Sequence, residues 1–287
     1  MSDSNGHLED LPVIVAFVEN LFFSSRVEAA ASQSGFQVNW LEGDMLEAAA
    51  ANLNTNQDDS LEQERYDSLL LDHITRIRPA LIIIDLNHRV IPWYRWIGVL
   101  KSSPATRRIP ILCFGAHLDR SALTRARAVG ADVVLAREKF VQSLPELILT
   151  YSRVIDMEAI AASCEEPFSK IGLEGIEEFN RGKYFEAHEL LEAAWNLDAS
   201  AGRELYRAIL QVAVAYYQIE RGNYRGAIKM FLRLRQWIDP LPERCRGIDV
   251  AQLRADAERV YFELVTLGTQ QIKEFDRSYF RPVVFTS

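Results

Sequence analysis

No apolar stretch in this sequence approaches the roughly 18–20 residues that a helix needs to cross a bilayer, so the sequence excludes a protein built of membrane-spanning helices. Cysteine is scarce. Cys113, Cys164 and Cys245 are the only three in 287 residues, and they form no CxxC pair and no even framework. Cys113 lies inside an apolar run and reads as a small buried hydrophobe. The set as a whole fits a reducing cytoplasm. Positive charge is short too: 32 Lys and Arg stand against 40 Asp and Glu, a formal charge of −8. A protein whose main task is gripping a nucleic-acid backbone carries the opposite balance. The opening residues MSDSNGHLED are polar and acidic, unlike the front of a signal peptide, and read as a flexible terminus over 1–10. Together these points place the chain in the cytoplasm, away from membranes.

What is present is enough for two hydrophobic cores. Residues 1–160 carry 15 basic and 21 acidic side chains, and residues 161–287 carry 17 and 19, so most of the acidity is in the first half. Short apolar runs recur there at 12–18, 37–41, 81–86, 109–114 and 132–135. Helical stretches lie between and after them near 21–34, 61–77, 93–102, 119–129 and 140–160. Near-continuous Val, Ile and Leu suit strands buried on both faces of a parallel sheet. Five such units predict an α/β domain of flavodoxin-like, doubly wound order over 11–150. The segment 42–64 is longer than an ordinary connection and reads as a polar insertion.

The strings RPALIIIDL, RIPILCFGAH and ALTRARAVGADVVLAREKF resemble, in order and spacing, a response-regulator receiver domain. The resemblance implies a phosphoacceptor at Asp85, at the end of the third strand. The matching supporting positions depart from the family pattern. The acidic pair that holds Mg²⁺ becomes Glu19 and Asn20, the hydroxyl residue becomes Gly115, and the lysine becomes Arg137. A hard divalent ion wants several oxygen ligands, and Arg137 cannot copy the compact charge of a lysine. The expectation is therefore a degenerate receiver in which Asp85 is not phosphorylated, with Mg²⁺ as a cofactor only if it is. Trp93 and Trp96, in the run NHRVIPWYRW, are either a docking surface or the buried face of a helix.

Helical character runs on from 141 to about 162 and predicts a stiff helical linker over 151–166, broken at SCEEP by the proline. Beyond it, 167–287 reads as all-helical, with helices near 168–181, 184–197, 202–221, 224–237 and 250–275. Two strings echo each other forty residues apart, FNRGKYFEAHELL and IERGNYRGAIKMF, with Gly182, Tyr184 and Ala187 matching Gly222, Tyr224 and Ala227. Such an echo reads as repeated helical hairpins. FNRGKYFEAHELLEAAW followed by YRAILQVAVAYYQIERGNYRGAIKM resembles the bacterial domain of unknown function 309 family over roughly 170–236. That resemblance implies a fold and no activity.

The candidate chemistry in this half is sparse. Of Glu186, His188, Glu189 and Glu192, only His188 and Glu192 are spaced one turn apart on the same face. Two readings follow: a catalytic or metal site built on His188, Glu192 and Glu189, or a half-buried histidine that meets Gln211 of the central helix and specifies packing. The second is preferred, because no second histidine exists in this half to complete a metal site. Arg225, Lys229 and Arg233 form a basic stripe, either a binding face or a solvated one. The favoured reading is a regulatory or adaptor protein that docks a protein partner or small ligand, with enzymatic activity left open but the balance leaning against it, nucleic acid disfavoured and a homo-oligomer left open. Its rivals are a phosphorelay regulator using Asp85 and an enzyme or metal site around His188 and Glu192.

Overall fold

The computed structural model describes residues 11–40 and 60–286. The N-terminal segment 1–10 and most of the expected insertion over 42–64 lie outside these described residues. The chain divides into two compact units at Val154/Ile155.

The first unit holds β1 (Val13–Phe17), α1 (Leu21–Gln33), β2 (Gln37–Trp40), α2 (Ser60–Ile77), β3 (Leu81–Asp85), α3 (Trp93–Ser102), β4 (Ile111–Gly115), α4 (Arg120–Ala128), β5 (Val133–Ala136), α5 (Arg137–Gln142) and α6 (Leu144–Tyr151). All strand pairs are parallel, in the order β2-β1-β3-β4-β5. This is the flavodoxin-like order, whose switch point lies beside β1. The apolar runs build it because alternate residues face opposite layers. Val15, Phe17, Ile82 and Ile84 pack with Trp96 and Ile97 of α3 and Ile74 of α2. Ile14, Ala16, Leu81 and Ile83 pack on the other face with Val27 and Ala31 of α1 and Phe140 of α5.

The stiff helix expected across 141–162 is broken twice. Ser143 closes α5 and precedes α6, which carries Pro145 in its first turn. At Ser152 the backbone turns extended, and the Arg153 N–H leaves the helix to reach the Ala80 carbonyl at 2.8 Å. Asp156 then caps a separate helix, α7 (Met157–Cys164), by accepting from the Ala159 N–H. The linker is thus a non-helical step followed by a short helix that belongs to the second unit.

That unit continues with α8 (Lys170–Asn180), α9 (Tyr184–Leu197), α10 (Glu204–Glu220), α11 (Tyr224–Ile238) and α12 (Val250–Leu267). A two-residue antiparallel pair, β6 (Arg244–Cys245) and β7 (Ile248–Asp249), interrupts the helices. The forty-residue echo is exact at the backbone level. Gly182 and Gly222 both take positive φ, 78° and 68°. Gly182 N–H bonds Phe179 O and Lys183 N–H bonds Glu178 O; Gly222 N–H bonds Ile219 O and Asn223 N–H bonds Gln218 O. Both ends are Schellman motifs, which use up the last carbonyls of a helix and turn the chain into the next one. The central helix α10 is the most buried, with Tyr206, Ile209, Val212, Ala213 and Tyr216 in the core. The last expected helix stops at Leu267, eight residues short of 275, because Gly268 takes φ 76° and a 3₁₀ segment follows. Among the described residues no helix is long and apolar enough to cross a membrane.

Candidate functional site

Asp85 ends β3 at the C-terminal edge of the sheet, paired in register with Phe114 of β4. Its side chain is only 3% exposed. One oxygen, Oδ1, accepts from the Asn87 N–H at 2.9 Å and lies 3.6 Å from Arg137 Nη2. Burial pushes the Asp85 pKa above the ordinary carboxylate value, against the pull of the Asn87 N–H and the Arg137 guanidinium.

The surrounding donors converge on a different atom. Arg137 Nη2 donates to Asn87 Oδ1 at 2.9 Å, and the Ala116 N–H donates to the same oxygen at 3.2 Å. One carboxamide therefore ties together the loops after β3 and β4 and the start of α5. It occupies donors of the kind that hold an anion at such a sheet edge. Sequence reading named Arg137 but not Asn87, whose part depends on three loops meeting.

The other matching positions are also engaged. Asn20 caps α1 by accepting from the Phe22 N–H at 2.9 Å. Glu19 accepts from the Arg89 N–H at 3.1 Å. A Cβ at Gly115 would lie 3.3 Å from the Leu86 Cβ, so a hydroxyl side chain there needs Leu86 to move. His88 Nδ1 accepts from the N–H groups of Val90 and Ile91, at 3.2 and 3.4 Å, which requires the nitrogen unprotonated. Burial lowers its pKa, with Glu19 and Asp85 pulling the other way. Mg²⁺ demands near-octahedral oxygen ligation. Buried Asp85, Asn20 spent on a cap and Glu19 spent on a loop do not fit that demand.

Trp93 and Trp96 separate. Trp96 is a core residue, 5.4 Å edge-on from Phe17, and so takes the buried-face alternative of the two. Trp93 is half-buried beside Tyr94, and the Arg125 guanidinium lies 4.4 Å over the Tyr94 ring.

On α9, Tyr184, Ala187, Leu191 and Ala194 face the core, His188 is half-buried, and Glu189 and Glu192 are exposed. The expected meeting of His188, Glu192 and Gln211 does not occur through hydrogen bonds among the described residues. Gln211 is 5% exposed and its Oε1 has no partner, while the nearest ring contact of His188 is Phe185 at 6.4 Å. No group of three or more metal-ligating side chains is found among the described residues. The polar feature between α9 and α10 is instead Arg207, whose guanidinium lies between Trp195 and Trp237, 3.8 and 4.1 Å from their ring centres. On α11, Arg225 and Lys229 are exposed and Arg233 half-buried, a stripe along one outward face.

The most heavily bonded side chain was not foreseen. Arg246 is 2% exposed and reaches five acceptors. Nε donates to Ser163 O at 3.2 Å; Nη1 donates to Asp198 Oδ2 at 2.6 Å and the Tyr206 hydroxyl at 3.1 Å; Nη2 donates to Glu166 Oε2 at 3.0 Å and Ser200 Oγ at 2.7 Å. Its own N–H bonds Cys164 O at 2.7 Å. Burial disfavours the Asp198 charge, but Ser200 and Arg246 outweigh that and hold its pKa below the ordinary value. Arg246 and Gly247 form the two-residue turn between β6 and β7, with φ 51° and 78°. Positive φ at both central positions is the type I′ requirement, for which Asn-Gly is the usual answer. An arginine accepts that strain here because its side chain is fully used.

Beside Arg246, Cys245 is disulfide-bonded to Cys164 at the end of α7, across 81 residues of sequence. This corrects the reading of the cysteines as unpaired. Only Cys113 is free, and it is buried as expected, with burial raising its thiol pKa.

Three comparisons with known proteins find partial likenesses. The family model described as "Domain of unknown function (DUF309)" matches residues 173–230. An uncharacterized protein of Aquifex aeolicus is 28% identical over 95 residues, 33% of this chain, and the match spans 27% of that relative's length. Among solved structures, a response regulator in red light signaling of R. palustris is 12% identical, with 48% of this chain and 92% of that chain covered and a TM-score of 0.33. A response regulator receiver domain from Rhodospirillum rubrum is 18% identical, with 50% and 96% covered and a TM-score of 0.35.

Proposed function

We propose that this chain is a regulatory adaptor of the cytoplasm. Its receiver-like domain serves as a docking module that is not phosphorylated, and its helical domain takes a protein or small ligand. The observation that carries this reading is the use of Asn87 Oδ1 as the acceptor for both Arg137 and the Ala116 N–H. Phosphoryl transfer needs free, positioned cations around the accepting oxygen. Here the available cation and amide are engaged by the chain itself, and Asp85 is buried behind them. Exposed apolar side chains on the same edge, Leu21, Phe22 and Leu118, suit contact with a protein.

The test is incubation with a small acyl-phosphate donor and Mg²⁺, read by intact mass, with Asp85→Asn as control. The adaptor reading expects no added phosphoryl mass in either protein. A phosphorylated species that disappears in Asp85→Asn would replace it with the phosphorelay reading.

A further inference from the structure

We propose that Cys164 and Cys245 are a reversible thiol–disulfide site whose redox state decides whether α7 stays docked on the helical domain. The argument starts from how little else holds α7. It has eight residues, and helices this short are marginal on their own. Only Ile160 and Cys164 are buried, while Met157, Glu158, Ala161 and Ala162 are exposed. Its ties to the bundle gather at its last turn: the disulfide, the Arg246 bonds to Ser163 O and Cys164 O, and the Arg246–Glu166 pair with an exposed carboxylate. The 201–203 turn also approaches there, since a Cβ on Gly202 would lie 2.9 Å from the Ser163 Cβ.

Without the covalent tie, one isoleucine and a few hydrogen bonds must offset the ordering of a whole helix. Each net hydrogen bond is weak against the backbone entropy of several residues. The bundle itself does not depend on α7 in this way, because α9, α10 and α11 bury their own core. Reduction is therefore expected to release α7 while the bundle stays folded.

The exchange partner is a dithiol. Its thiolate attacks one sulfur, the protein S–S bond breaks, and the other cysteine leaves as a thiolate. The second thiol of the reductant then closes its own disulfide and frees the remaining cysteine. Two electrons and two protons pass to the protein. Both sulfurs are covered in the docked state, so attack requires fraying of α7, whose outer face is open to solvent. In a reducing compartment, disulfides of this kind are transient and redox-sensing.

The test is amide hydrogen exchange by mass spectrometry on the full chain, oxidised and after treatment with dithiothreitol, with Cys164→Ser and Cys245→Ser alongside. Expected are at least tenfold faster exchange over 157–164 in the reduced protein and in both variants, and unchanged protection over 184–220. Equal protection of 157–164 in both redox states would overturn the proposal. So would loss of protection throughout 184–220, which would make the bond a staple for the whole bundle. A bond that resists dithiothreitol without denaturant would also overturn it.

Discussion

Removing the Arg246 side chain is the sharpest test of how the helical domain is held together. With Arg246→Ala, Asp198 stays in a mostly buried place without its cation, and Tyr206, Ser200 and Ser163 lose a shared donor. Breaking a buried ion pair by deleting one partner costs about 3–5 kcal/mol. Glu166 is more than half exposed and returns to water, so its loss counts for little. Asp198 also keeps the Ser200 N–H, which brings the expectation to about 3 kcal/mol, the lower end of the range. The backbone supplies an internal control. Arg246 sits at φ 51°, where a Cβ costs about 1–2 kcal/mol that glycine avoids. Arg246→Gly is thus expected to lose roughly 1–2 kcal/mol less than Arg246→Ala. Urea-dependent hydrogen exchange over α9 and α10, with the disulfide kept intact, measures both. A loss under about 1 kcal/mol for Arg246→Ala, or alanine more stable than glycine, would refute the reasoning.

Three further outcomes follow from the geometry. Gly182→Ala and Gly222→Ala should each destabilise the helical domain by about 1–2 kcal/mol in denaturant titrations, because both force alanine into positive φ with no close neighbour to add to the cost. Asp85→Asn should raise the melting temperature of the receiver-like domain at neutral pH. A buried carboxyl with a raised pKa resists ionising in the fold, so its cost is present above the folded pKa and vanishes below the unfolded value near about 3.9; the variant's advantage should vanish there too. Trp96→Ala should cost about 3–5 kcal/mol and Trp93→Ala less than half as much by the same measurement, since only Trp96 is fully enclosed.

The sequence carried most of the architecture because its signals were local. Short β-branched runs such as LIIIDL, set between helical stretches, suit strands buried on two faces, and the paired Gly-x-Tyr strings encode their own Schellman turns. The break at 152–156 was hidden because its cause is tertiary: Arg153 abandons the helix for a carbonyl at the start of β3. The Cys164–Cys245 pair was partly legible. With Cys113 assigned to a strand interior, two cysteines remained, each beside a break in helical character, but nothing local says that such positions meet. Arg246 had a weaker trace. The string CRGI holds a glycine at the second turn position, yet the arginine's five acceptors come from segments 40 to 83 residues away. On α9 His188 takes the half-buried place expected of it, but the one-turn spacing with Glu192 says nothing of partners on other helices, and Gln211 Oε1 is left without one among the described residues.

The edge around Asp85 is closed by the chain's own Asn87, which accepts from both Arg137 and the Ala116 N–H. The direct measurement is the carboxyl carbon resonance of Asp85, followed by NMR while Mg²⁺ is titrated to millimolar concentrations. A closed edge predicts a resonance that does not move, with a titration midpoint above the ordinary carboxylate value. A saturable shift with added Mg²⁺, absent in Asp85→Asn, would contradict it.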